Sequence, residues 1–272
     1  MPQPKLTTLT LDIEDAIATV CLNRPDKANA MNAPMWQELQ DCFEWLDREP
    51  SVRVIILAAN GKHFCSGIDL ALFSEVAGDP DQEQGRKSED LRRLILRLQG
   101  NLSAIERCRK PVLAAIHSSC IGGGVDMVSC CDMRYCTEQA FFSIKEIDLA
   151  MTADVGTLQR LPHIIGRGVM NEIAFTGRKL GATEAQAIGM VNKVFPDADS
   201  LMAGVREVAA AIAVKSPLAI RGTKEMLLYT RDHPVSEGLN YMATWNAGML
   251  SSADVMQAVE ASLKGETPRF DD

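Results

Sequence analysis

The chain opens with two alternating apolar segments, residues 6–13 and 16–22, separated by Glu14 and Asp15, and this period-two pattern predicts a β-hairpin. Past the polar loop NRPDKANAMN the period changes. Met35, Trp36, Leu39, Phe43 and Leu46 recur at helical spacing, predicting a helix over 33–46 capped by Asn32 or the polar residues before it. The apolar run 52–59, broken only by Arg53, reads as a buried strand that stops at the turn signal Asn60-Gly61. Residues 74–90 are polar, carry Gly78, Pro80 and Gly85, and are expected to form a mobile surface loop. Helix restarts at Ser88-Glu89, with Leu91, Leu94, Ile95, Leu98, Leu102 and Ile105 on one face, and Pro111 opens the strand PVLAAI.

Two further short strands, 133–136 and 140–143, follow the block IGGGVDMVSCCD, and the unit repeats once more. From about residue 198 the pattern is almost wholly helical, over 201–214, 217–230, 235–250 and 253–263, with breaks at Pro217 and Pro234. The expected fold is therefore α/β. Residues 1–197 form a core of repeated strand-strand-helix turns that carries the active site, and 198–272 form a helical carboxy-terminal region, with no low-complexity linker between them.

Composition narrows the function classes. A chain of 272 residues with 46% hydrophobic and 24% charged residues can build a full-sized core, and its composition is that of an ordinary globular protein. No run of 18 apolar residues occurs, so no membrane-crossing helix is expected. The formal charge of -8 and a pI near 5.1 disfavour generic binding to nucleic acid or anionic membranes. Cysteines at 21, 42, 65, 108, 120, 130, 131 and 136 show neither C-x-x-C nor zinc-ligand spacing, so reduced packing thiols are expected, and no metal site. The start of the chain lacks a secretory or Arg-rich leader pattern, and its end, Arg269-Phe270-Asp271-Asp272, is no S-K-L address, so a cytoplasmic location is expected.

The candidate chemistry lies in two glycine-centred loops and three carboxylates. Ser66-Gly67-Ile68-Asp69 and Gly122-Gly123-Gly124-Val125-Asp126 each follow a strand and lead toward a predicted helix. Glycine permits close backbone approach, and free amides at a helix start face developing negative charge, so two converging amides would form an oxyanion hole. The glycines could equally serve only to turn the chain. A phosphate-binding G-x-x-x-x-G-K-[ST] loop, a G-x-G-x-x-G fingerprint and a G-x-S-x-G elbow are all absent. Asp126, Glu146 and Asp154 stand in mainly apolar text, where desolvation raises a carboxyl pKa toward values useful for moving protons. Each also has an ordinary explanation. Asp126 could complement a helix start, Glu146 could pair with Lys145 or face solvent, and Asp154 could cap VGTLQRL.

The runs VRVIILAANGKHFCSGIDL, KPVLAAIHSSCIGGGVDMVSCCDMRY and GTLQRLPHIIGRGVMNEIAFTGRKLGATEAQAIGMVNKVFP resemble the enoyl-CoA hydratase/isomerase (crotonase) superfamily over almost the whole chain. FFSIKEIDLAMTADVGTLQRLP and LLYTRDHPVSEGLNYMATWNAGML are similar to its delta(3,5)-delta(2,4)-dienoyl-CoA isomerase branch. The resemblance implies a crotonase-like spiral of β-β-α units with a helical trimerisation region, giving trimers or hexamers. It implies an oxyanion hole from the Ile68 and Gly123 amides and an acyl-CoA path along Cys65, Ser66, Gly67, Ile68 and Asp69. Lys27, Ala28 and Ala30 correspond to the adenosine-side contact. It assigns catalytic roles to Asp126, Glu146 and Asp154. Hydratases of the superfamily usually carry glutamates at the positions of 126 and 146 and no acid at 154; simple delta(3)-delta(2)-enoyl isomerases usually keep only the acid at 146. No metal or redox cofactor is implied, and CoA enters as part of the substrate. A 2-enoyl-CoA hydratase using Asp126 and Glu146, and a non-catalytic acyl-CoA- or RNA-binding member, stay open beside the isomerase.

Overall fold

Alternation along the strands explains how one sheet is covered on both faces. The computed structural model describes residues 2–72, 82–250 and 253–271. The hairpin pairs β1 (Leu9–Glu14) with β2 (Ile17–Leu22) antiparallel, and β3 (Val54–Ala59), β4 (Val112–Ile116), β6 (Met133–Thr137) and β9 (Lys193–Phe195) add in parallel, in the order β1-β2-β3-β4-β6-β9. Strands covered on both sides read as continuous apolar runs, as the segments VIILAA and VLAAI do.

Ile55 and Leu57 of β3, with Val112 and Ala114 of β4, face a core shared with α1 (Ala33–Arg48) and α2 (Gln84–Arg107). Val54, Ile56 and Ala58, with Leu113 and Ala115, face Leu201, Val205 and Ala209 of α7 (Ala198–Ala213), so this helix belongs to the core packing of the sheet. The remaining helices of the carboxy-terminal region are α8 (Pro217–Tyr229), α9 (Val235–Met249) and α10 (Ala253–Lys264). In α1, Asn32 accepts from the Met35 amide at 3.2 Å as N-cap, and Met35, Trp36, Leu39, Cys42, Phe43 and Leu46 form the buried face. Its far end is closed by the buried Lys110, which donates to the Leu46 carbonyl at 2.7 Å.

Successive turns of chain repeat one motif. Each of two units places its first strand in the large sheet and its second in a small sheet of β5 (Ser119–Ile121), β7 (Phe141–Ser143) and β8 (Leu180–Gly181), ordered β5-β7-β8. Each unit then turns into a helix, α3 (Gly123–Ser129) after β5 and α4 (Thr157–Arg160) after β7, which gives a spiral of strand-strand-helix units. Two shorter helices, α5 (Arg167–Thr176) and α6 (Ala182–Ala187), lead to β9.

Several boundaries differ from the sequence reading. Helix α2 begins at Gln84, inside the stretch expected as loop, because Glu83 caps it by accepting from the Gly85 and Arg86 amides at 2.8 and 3.2 Å. Residues 74–81 of that stretch lie outside the described residues. The loop at Gly67 runs into a short 3-10 turn, Leu70–Leu72, the last of the described residues there, and the loop at Gly122 opens a helix.

Candidate active site

Three chain segments leave the small sheet side by side, and the parallel pairing of their strands dictates this. The backbone of Cys65 pairs in a parallel β-bridge with that of Cys120, and β5 pairs with β7 so that Ile121 lies opposite Ser143. Parallel strands end at the same edge, so residues 66–69, 122–126 and 144–146 emerge as neighbours. The Gly122 amide then donates to the Ser143 carbonyl at 2.9 Å and fixes the second segment against the third.

The glycines are needed for this approach. Gly67 has φ +96, and a Cβ there would lie 3.1 Å from the Ile121 carbonyl oxygen and 3.7 Å from the Gly123 nitrogen. Gly122 has φ +51, and its Cβ would sit 2.9 Å from Glu146 Oε1. The two loops are thus in backbone contact, with the Glu146 carboxylate directly against them. The Met31 amide donates to the Gly67 carbonyl at 2.8 Å and the Asp69 amide to the Met31 carbonyl at 3.1 Å, which leaves the intervening Ile68 amide unused. The Gly123 amide belongs to the first turn of α3, where helical N–H groups have no partner within the helix. Among the described residues, neither amide has a protein acceptor. Both amides are therefore free to donate to a bound group.

The carboxylates differ in surroundings. Glu146 lies in the 3-10 turn Lys145–Leu149; its Oε2 is buried without a partner among the described residues, and Lys145 pairs with Asp148 instead. Burial, reinforced by the charge of Asp126, pushes its pKa up to about 7. Asp126 is buried in the first turn of α3, and burial raises it to about 6 against the opposing effect of its hydrogen bond from the Thr157 amide, which is 2.7 Å from Oδ1. Asp154 is more accessible, and partial desolvation also raises it. Asp154 does not cap the following helix. Gly156 holds the N-cap position of α4 without a side-chain bond, and the capping acceptor is Asp126, reaching across from α3. The Thr157 amide on Asp126 and the approach of Glu146 to Gly122 bring the segments that carry the three acids side by side.

Beside Ile68 opens a cavity of about 220 Å³ with Trp36, Ile68, Leu72, Leu94 and Leu98 as apolar walls suited to an acyl chain, and with Gln37, Arg97 and Asn101 as its polar lining. Trp36 also lies 3.7 Å from the position a Gly123 Cβ would take, so the cavity and the amide pair share a wall. A larger cavity of about 560 Å³, lined by Cys131, Arg134, Lys224 and Arg231, contains none of the three raised acids.

Lys27, Ala28 and Ala30 lie on a loop clamped to the 65–69 segment: the Ser66 amide donates to the Ala28 carbonyl at 3.0 Å, and Arg24 pairs with Asp69 at 2.9 Å. Lys27 itself is exposed. The Cys65 side chain turns into the core, where burial pushes its thiol up to about 12, so it packs and does not react. Sequence reasoning missed the hub of this loop, the fully buried Asn29, which donates to the Asn60 and His63 carbonyls at 2.9 and 2.8 Å and accepts from the Arg24 amide at 2.8 Å. An asparagine within the short polar run KANAMN was the available signal.

Residues 12–272 match the enoyl-CoA hydratase/isomerase family. The chain belongs to that family. Family relatives include the peroxisomal delta(3,5)-delta(2,4)-dienoyl-CoA isomerase of Arabidopsis thaliana, 47% identical over 267 residues covering 97% of this chain and 96% of the relative. The mitochondrial enzyme of the same name from Rattus norvegicus is 49% identical over 247 residues, 90% of this chain and 76% of that protein. The family fold is equally clear, since the crystal structure of an enoyl-CoA hydratase from Bacillus anthracis superposes with a TM-score of 0.88 at 29% identity, covering 97% of this chain and 99% of that one. The spiral of β-β-α units expected from the resemblance is the fold observed.

Proposed function

We propose that this family member is an isomerase that converts 3,5-dienoyl-CoA into 2,4-dienoyl-CoA. The observation that carries the reading is the set of three acid-bearing segments packed beside two unpartnered amides; the dienoyl-CoA isomerases at 47–49% identity support it. Bringing a 3,5-diene into conjugation with the thioester removes a proton at carbon 2 and delivers one at carbon 6. Two acids separated along the acyl chain serve this better than one.

Glu146 takes the carbon 2 proton, its raised pKa matching the base to neutral pH. The electron pair moves to the thioester oxygen, and the Ile68 and Gly123 amides hold the resulting dienolate. Asp154, whose desolvation favours the protonated form, gives its proton to carbon 6 as the pair returns through the diene. Glu146 ends protonated and Asp154 ionised, and exchange with solvent resets them. Asp126 supports the pair, holding the Thr157 amide while its charge raises Glu146. No electrons leave the substrate, so the reaction calls for no redox or metal cofactor.

A hydratase using Asp126 and Glu146 on a water would need Asp126 free to orient that water, and one of its oxygens is already committed to Thr157. The reading extends to fatty-acid β-oxidation, in the cytoplasm, where eight free thiols suit a reducing compartment. Exposed Leu227, Val235, Leu239, Met256 and Leu263 on the carboxy-terminal helices suit a homotrimer or hexamer, which light scattering after size exclusion would measure. The deciding experiment supplies a 3,5-dienoyl-CoA and follows absorbance of the conjugated product, beside hydration of a 2-enoyl-CoA. Faster conjugation supports the isomerase; hydration alone would hand the site to the hydratase, and inactivity on both to a binding role.

A further inference from the structure

Helix α2 carries a polar stripe that has no place in its apolar face. Gln99, Ser103 and Glu106 are spaced i, i+4 and i+7, which aligns them on one side of a helix. All three bond to the single segment that bears Asp154. Gln99 Nε2 donates to the Asp154 carbonyl at 2.6 Å. Arg160, three residues past Thr157, donates from Nη2 to Ser103 Oγ at 3.0 Å and reaches Glu106 through Nε and Nη2, each at 3.2 Å.

The segment is shaped for this grip. A Cβ at Gly156 would fall 1.8 Å from Arg160 Nη1, so the guanidinium folds over a backbone position only glycine leaves open, and φ there is +133. Both partners are largely buried, with side-chain exposures of 11% for Arg160 and 16% for Glu106. A bidentate, desolvated arginine-carboxylate pair fixes orientation as well as distance. Arg231, just beyond α8, shares Glu106 at 2.5 Å, so the carboxy-terminal helices touch the same anchor. Burial opposes ionisation of Glu106, yet Arg231 and Arg160 hold its carboxyl below the usual range, so the anchor is charged at neutral pH.

We propose that Gln99, Ser103 and Glu106 of α2, acting through Arg160, are positioning residues that seat Asp154 for the second proton transfer. The proposal rests on Asp154 being the donor to carbon 6. None of the four needs to touch substrate; they hold the backbone from which the acid reaches it. Losing the seat leaves the base, the amides and the first proton transfer in place, and slows only delivery at carbon 6.

The test uses the full chain in deuterated water with a 3,5-dienoyl-CoA, reading carbon 2 exchange and conjugated product in the same sample, with thermal melting beside them. In E106Q the product rate should fall about ten- to a hundredfold while exchange stays within about threefold, so the exchange-to-product ratio rises. Q99A should raise the ratio more modestly. If E106Q does not fold, the double variant Q99A/S103A removes two surface-side contacts of the stripe and must raise the ratio on its own. An unchanged ratio in a folded stripe variant, with both rates falling in step with the folded fraction, overturns the positioning role. Asp154→Asn, measured in parallel, should show the largest ratio; an unchanged ratio there overturns the donor assignment and with it the positioning role, whereas a raised ratio in D154N alone removes only the latter.

Discussion

Replacing Glu146 by Gln should move activity and stability in opposite directions, and the size of each can be worked from its surroundings. The carboxyl is raised from 4.5 to about 7, mainly by burial, and at ~1.4 kcal/mol per pH unit this corresponds to roughly 3 kcal/mol of folding free energy. The unfolded chain gives up this proton near its ordinary value and the folded chain only near 7, so between those values the folded state binds more protons and stability falls as pH rises. Above about 7 the loss is complete, and below the unfolded value it is absent. Glutamine keeps the shape without the charge. E146Q should therefore match the parent near pH 4 and exceed it by up to about 3 kcal/mol at pH 8, or several degrees in melting temperature at ~2–4 °C per kcal/mol. Partial solvent access will reduce the figure without changing its sign. Removing a positioned base should also lower turnover at least about 100-fold, with KM little changed. Thermal melts at both pH values and a steady-state conjugation assay provide the measurements. A variant that keeps more than a tenth of the activity, or whose stability relative to the parent does not grow with pH, refutes the placement of Glu146 as a buried base.

Further outcomes follow from the same geometry. Asp126→Asn removes a negative charge that raises Glu146, so the ascending limb of kcat/KM against pH should move to lower pH; an unmoved limb would separate the two acids. Gly122→Ala forces a Cβ to 2.9 Å from Glu146 Oε1 at φ +51, so kcat should fall by about tenfold or more while the fold survives by circular dichroism; normal kcat would misplace the base. Gly123→Pro deletes one amide of the pair, and kcat should drop by about 10²–10³, with normal turnover in the folded variant dismissing the oxyanion hole.

The periodic parts of this chain were legible, as were the short strands β6 and β7, but β5 and β8 were not. Strand β3 and helix α1 are long enough for their burial pattern to appear in sequence, whereas β5, with three residues, and β8, with two, are set by pairing with distant strands. The start of α2 was hidden because QEQGRKSED holds no apolar period, and a side-chain cap at Glu83 decides it. At the site, residue type and apolar context singled out Asp126, Glu146 and Asp154, but the capping contact that Asp126 makes is long-range. Thr157 finds its acceptor 31 residues back in Asp126, a link that no local pattern contains. The stripe on α2 was missed for a related reason: Gln99, Ser103 and Glu106 read as an ordinary solvated face until Arg160 is brought to them.

Helix α2 works on two sides at once. Leu94, Leu98 and Asn101 wall the cavity beside Ile68, while Gln99, Ser103 and Glu106 grip the segment of Asp154. A rigid rod shared in this way ties selectivity for the acyl tail to chemistry at its far carbon. An engineer who trims Leu98 to admit bulkier tails without moving the rod should see the change in KM. Enlarging the room by displacing the rod would instead detune proton delivery, and would surface in kcat.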